Sequence, residues 1–183
     1  MEGAPAKLAL LALLVAVSVS AACAVTLLED TCRSVAASRP RIGYDFCVGS
    51  LQAGDPNRSA ADRRGLAVVA ARLSLSRAAG ASAAIARMAA GERDPPRREC
   101  LGACAEVYGE ASDHLNRAVR ELRAGRYREA VTFLSAAMDA SENCEDAFRE
   151  VVSGGGSGSP LAEQDKDYFM VTAMALAITV MLG

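Results

Sequence analysis

Four of the six cysteines stand symmetrically about turn-forming residues, and this restricts the fold more than any other feature. Cys32 and Cys47 have their midpoint between Arg39 and Pro40. Cys104 and Cys144 have theirs at Ala124, beside Gly125. Proline breaks helices and glycine ends them. Two helical arms meeting at Pro40 bring Cys32 opposite Cys47, and two meeting at Gly125 bring Cys104 opposite Cys144. Each bridge then clasps a helical hairpin at its open end and contributes roughly 3–4 kcal/mol by the loop-entropy estimate. Cys100 lies one turn before Cys104 on the same face, where a mutual bridge is strained. It is the candidate free thiol, read as a small buried apolar residue in preference to a reactive one.

Bridges require an oxidising compartment, and the N-terminus supplies the route to one. Lys7 precedes an apolar run from Leu8 to Val19, and small residues follow from Ser20 to Ala24. This is the layout of a secretory signal peptide over residues 1–24. The run is too short for a bilayer, which needs about 20 apolar residues. Cleavage after Ala24 leaves Val25 first, and cleavage after Ala22 leaves Cys23 first. Secretion also gives meaning to Asn57-Arg58-Ser59, an N-glycosylation sequon in a polar stretch.

Periodicity makes the mature chain helical. Leu66, Val69, Leu73, Ser76, Gly80, Ala84 and Met88 alternate steps of three and four. Cys104, Tyr108, Ala111, Leu115, Ala118 and Leu122 do the same, as do Ala130, Leu134, Ala137, Ser141, Cys144, Phe148 and Val151. These are core stripes. Asp94-Pro95 reads as an N-cap followed by proline in the first turn. The expected helices are 26–38, 43–52, 60–90, 96–123, 127–152 and 161–182. Only 4% of residues are aromatic, so the core must be built from small and aliphatic side chains. The 51% hydrophobic content with a net charge of -2 excludes general disorder, and the Ala, Leu, Arg and Glu bias argues against a β-sandwich.

The C-terminal end allows two readings. A glycine-serine run from 153 to 159, a polar spacer and an apolar tail mimic a GPI-anchor signal. The alternative is a linker feeding a last core helix, with Asp165, Lys166 and Asp167 in its first turns. Phe169, Met170, Met174, Ala177, Ile178 and Met181 then fill the core.

Charge is segregated, with a balance of +5 over residues 25–98 and -7 over residues 99–183. Eighteen of the twenty basic residues are arginine. Without interleaved aromatics this does not point to nucleic acid. Solvated helix faces are the plain reading, and a surface for partner carboxylates is the sharper one. His114 is the only histidine and follows Glu110 by one helical turn, which suggests a solvated pair. No nucleophile elbow, phosphate loop, Cys-x-x-Cys or His-rich metal set occurs. Carboxylates such as Glu145 and Asp146 are adjacent and so point apart on a helix. Nothing suggests an enzyme, a metal or a cofactor.

Several motifs together are specific. Thr31-Cys32 is followed by Tyr44-Asp45-Phe46-Cys47, Ser50-Leu51 and Asp55-Pro56. Cys104-Ala105-Glu106-Val107-Tyr108 follows, and Leu134 to Met138 leads to Cys144-Glu145-Asp146-Ala147-Phe148. Ser159-Pro160-Leu161 leads to Lys166-Asp167-Tyr168 and to Ala175 through Thr179. On these residues the chain resembles the plant invertase and pectin methylesterase inhibitor family, within it the branch of plane-pollen allergen-type invertase inhibitors. The resemblance implies an all-α, up-down four-helix bundle over 60–183, with an N-terminal hairpin over 25–55. It implies the bridges Cys32–Cys47 and Cys104–Cys144, and it favours the core-helix reading of the tail over the GPI signal. Cys100, the glycine-rich insert and Ala147, which stands where glycine is frequent, depart from the family's pattern.

The resemblance further implies a secreted inhibitor of the apoplast and cell wall, or of the vacuole. It would bind a target enzyme one-to-one, free of nucleic acid and, after signal cleavage, of membrane. The target expected first is pectin methylesterase, by occlusion of the active-site cleft, with acid invertase as the alternative. Invertase inhibitors often carry Pro-Lys-Phe at the start of the fourth bundle helix, a place read here as Gly125-Arg126-Tyr127. Arg126 and Tyr127 are therefore the candidate contacts. A binding module without inhibitory activity, holding de-esterified pectin on its arginine face, is the remaining reading.

Overall fold

The structure, a computed structural model, describes residues 27–56, 59–151 and 159–183. The expected signal peptide with Cys23, the sequon residue Asn57 and most of the glycine-serine run lie outside the described residues. Among the described residues there are six helices: α1 (27–38), α2 (Tyr44–Gly54), α3 (Arg63–Gly91), α4 (Pro95–Arg123), α5 (Tyr127–Val151) and α6 (Ala162–Val180). No strand occurs among the described residues.

Helix ends follow from local chemistry. The Asp62 carboxylate accepts the Gly65 N–H at 2.7 Å, so α3 starts at Arg63 and not at residue 60. Asp94 accepts from the Arg97 N–H ahead of Pro95, as the sequence suggested. Asp55 closes the turn between hairpin and bundle, accepting from the Ser59 hydroxyl and the Ala60 N–H at 2.8 Å each. Burial pushes its carboxyl up, but the hydrogen bonds from Ser59 and Ala60 prevail and hold it below the ordinary value. Gly125, at φ 73°, ends α4 in a left-handed cap. Its N–H bonds to the Leu122 carbonyl and that of Arg126 to the Glu121 carbonyl, the paired bonds of a Schellman motif.

The bundle closes as a ring. α3 packs on α4 and α6, and α5 packs on α4 and α6, while α2 lies on the outside of α3. Cys32–Cys47 joins α1 to α2 with Cα atoms 5.6 Å apart. Cys104–Cys144 joins α4 to α5 at 4.6 Å. The predicted stripe of α4 is wholly buried, and that of α5 is buried except for Val151, which is exposed at the helix end.

Two registers differ from expectation. In α3 the expected Leu66 and Ala84 are buried, together with Ala67, Ala70, Ala71, Ser74, Ala78, Ala81 and Ile85, while Val69 and Leu73 are half-buried, Ser76 and Gly80 are exposed and Met88 is half-buried. Alanine occurs on every side of this helix, so the larger residues drew the middle of the stripe away from the bundle-facing side. Val69 and Leu73 of that stripe instead meet the close approach of α2 at Gly54. In α6 Phe169 is 39% exposed, and Met170 and Met181 are half-buried, whereas Tyr168 fills the core. Residues 171–179 are buried on all sides, so this helix has no polar face to define its period. The tail packs as a core helix of the bundle, as the linker-and-helix reading expected. No described helix is long and apolar enough to cross a membrane.

Candidate functional site

The α4–α5 corner carries the two candidate contacts. Once Gly125 has reversed the chain, Arg126 projects from the connection and its Nε donates to the Glu121 carboxylate. This bond holds Glu121 below the ordinary carboxylate range. Tyr127 opens α5 and is half-buried against the core. The corner therefore begins the third helix of the bundle, not the fourth as the motif comparison assumed. Arg126 is the more available of the two, and its ion pair restrains its direction at little entropic cost.

Other predicted groups are placed differently from one another. Cys100 is unpaired, 3% exposed, and its Sγ donates to the Ala147 carbonyl of α5 at 3.2 Å. Burial pushes this thiol up, away from the reactive thiolate. His114 does not form the expected pair with Glu110. Its ring is half-buried and stacks on Phe133 with centroids 6.0 Å apart, while the Arg117 guanidinium lies 5.7 Å from the same Phe133 ring. Phe133 on α5 reaches across the helix pair and draws the imidazole inward. Several arginines elsewhere make exposed ion pairs, as with Arg33 and Asp30, or Arg149 and Asp146. Arg77 reaches across the ring to Asp167, joining α3 to α6 at 2.6 Å.

One polar cluster escaped the sequence reading. The Tyr108 hydroxyl of α4 donates to Oδ1 of Asp165 on α6, and the Asp165 carboxyl also meets Glu145 of α5. Tyr108 and Tyr168 stand edge to face at 5.1 Å between ring centroids. Tyr108, Asp165 and Glu145 come from three helices, and each looks like an ordinary helix residue in isolation. The one available signal was Asp165, three residues before Tyr168 and so on its face. A groove of about 400 Å³ between α5 and α6 is lined by Asp165 and Glu145 themselves, with Glu142, Lys166 and Phe169 along it.

Among the described residues no three ligating side chains gather around a common point. What the molecule presents is a stapled, rigid set of helix faces. Residues 17–178 match the profile of the family described as "Plant invertase/pectin methylesterase inhibitor". The chain belongs to this family. Its members are proteinaceous inhibitors and not catalysts. A Platanus orientalis protein named "Putative invertase inhibitor" is 36% identical over 157 residues, spanning 86% of this chain and 90% of the relative. "Pectinesterase inhibitor 12" of Arabidopsis thaliana is 30% identical over 88% of this chain and 90% of its own length. A crystal structure of a mutant pectin methylesterase inhibitor from Arabidopsis superposes with a TM-score of 0.64, covering 76% of this chain and 90% of the other, at 22% identity. That likeness speaks for the fold. As a family member this chain has an enzyme for its target.

Proposed function

We propose that the mature chain, from about Val25 onward, is a secreted inhibitor that binds pectin methylesterase one-to-one and covers its active-site cleft. The observation that carries the choice of target is Gly125. The basic-aromatic pair Arg126-Tyr127, read as the counterpart of the last two residues of an invertase-directed Pro-Lys-Phe, is preceded by a glycine at φ 73° and not by proline. Proline is locked near -65° and cannot occupy that conformation. The corner that would present an invertase motif is thus differently built. Rigid helix faces suit inhibition because little conformational freedom is lost on docking. The proposed site of action is the apoplast and cell wall.

Acid invertase, in the wall or the vacuole, is the second reading. It is favoured by the printed name of the Platanus relative at 36% identity. The purified mature protein should be assayed against both enzymes from mildly acidic to neutral pH. Saturable inhibition of pectin methylesterase at stoichiometric ratio is the expected outcome. Inhibition of invertase alone selects the second reading. Full activity of both enzymes at micromolar excess rejects inhibition and leaves a binding module. Arg126→Ala and Tyr127→Ala, measured for binding and for melting temperature, separate contact from packing: weaker binding at unchanged stability marks a contact.

A further inference from the structure

Two carboxyl groups meet inside the bundle where ordinary ionisation would set like charges against each other. Asp165 is 3% exposed, and Tyr108 satisfies its Oδ1. Its Oδ2 and Oε1 of Glu145 are both enclosed, and no protein N–H or O–H reaches either. An ionised carboxylate only accepts hydrogen bonds, so two facing carboxylates repel unless one carries a proton and donates it to the other. We propose that Asp165 and Glu145 share one proton that fastens α6 to α4 and α5, and that its loss loosens this last helix as the surroundings become alkaline.

Charged and titratable groups border the pair from each helix packed around it. From α4 the facing group is Tyr108, already donating. From α5, Glu142 and Arg149 line the same groove as the pair, and Arg149 is engaged with Asp146. On α6 itself Lys166 is exposed at the rim, and Tyr168 is turned to the Ala137 carbonyl. From α3, Arg77 is bonded to Asp167. Burial first, and the bond to Glu145 next, push the Asp165 carboxyl up to about 8, against the opposing pull of Tyr108.

The sign follows by linkage. An unfolded aspartate loses its proton near 3.8, while the folded one keeps it to about 8. Between those values the folded state binds more protons, so stability contributed by the pair falls as pH rises through this window and is level above it. The proton leaves Asp165 for solvent, and two facing carboxylates remain.

The experiment is thermal unfolding of the folded chain from pH 4 to 9, wild type beside Asp165→Asn. The amide reproduces the protonated acid, with a carbonyl to accept from Tyr108 and an NH₂ to donate to Glu145, but it does not titrate. Relative to this variant, the wild-type melting temperature should fall by on the order of 4–8 °C between pH 5 and 8. Parallel profiles overturn the proposal. Should Asp165→Asn fail to fold, carboxyl carbon NMR of the wild type decides: titration of Asp165 above pH 7 supports the shared proton, and titration near 4 overturns it. Amide exchange in α6, corrected for the intrinsic pH effect, should accelerate above pH 8 while the α4 amides do not. A uniform response of both helices counts against a local release of α6.

Discussion

The Tyr168 hydroxyl donates to the Ala137 main-chain carbonyl at 2.5 Å, tying the middle of α5 to the most buried helix of the bundle. Tyr168 is fully buried, and burial pushes its phenol upward so that it stays a neutral donor. Tyr168→Phe removes the bond and keeps the ring. We expect a loss of about 1–2 kcal/mol in urea unfolding, since the carbonyl loses a buried partner. This loss should be the same at pH 5 and pH 8, which distinguishes it from any change at Asp165.

The two bridges should differ in weight. Cys104–Cys144 closes 40 residues and Cys32–Cys47 closes 15. On the loop-entropy estimate their removal costs about 4 and about 3 kcal/mol respectively. Cys104 and Cys144 changed together to Ala should therefore lower the urea midpoint more than Cys32 and Cys47 changed together. The N-terminal pair should act mainly on α1 and α2, the second of which packs on α3. Amide exchange that rises in 27–56 and stays slow in α4 and α5 is the expected pattern for the N-terminal double variant.

Legibility in the sequence followed the contrast between faces. In α4, charged residues separate the stripe from Cys104 to Leu122 so clearly that every member of it is buried. In α3, alanine is spread round the helix, and Val69 and Leu73 pointed to the hairpin, not to the bundle. In α6, nine successive buried residues erase the period, which let Phe169 pass for core and hid the role of Asp165. The cysteine symmetry was readable because turn residues mark the hairpin tips. The Tyr108, Asp165 and Glu145 cluster was not, because it exists only once three helices have assembled. The same holds for His114, whose partner Phe133 lies on another helix.

Cys100 should behave as a packed core residue. Its thiol is buried and shifted upward by that burial, so little thiolate forms at neutral pH. A thiol reagent should label the native protein only at the rate of local opening, with full and rapid labelling in denaturant. Cys100→Ala should retain both bridges by peptide mapping and cost about 1 kcal/mol through lost packing. Fast labelling of the folded protein would show that the thiol is accessible after all.

Gly125 offers the sharpest test of the corner that presents Arg126 and Tyr127. A Cβ at this position meets nothing within 4 Å, so substitution there is opposed by backbone conformation alone. At φ 73° an L-residue other than glycine loses roughly 1–2 kcal/mol, and asparagine tolerates the left-handed region better than alanine. The melting temperature should therefore rank Gly125 above Gly125→Asn above Gly125→Ala, with a total fall of about 2–6 °C. If alanine and asparagine are equally tolerated at no cost, the left-handed cap is not what ends α4. Gly125→Pro should be worse than either, because proline can neither take this φ nor donate the N–H that now bonds to Leu122. Its loss of stability, measured with and without target enzyme, then shows how far the geometry of this corner can be pushed toward a proline-led motif before the bundle yields.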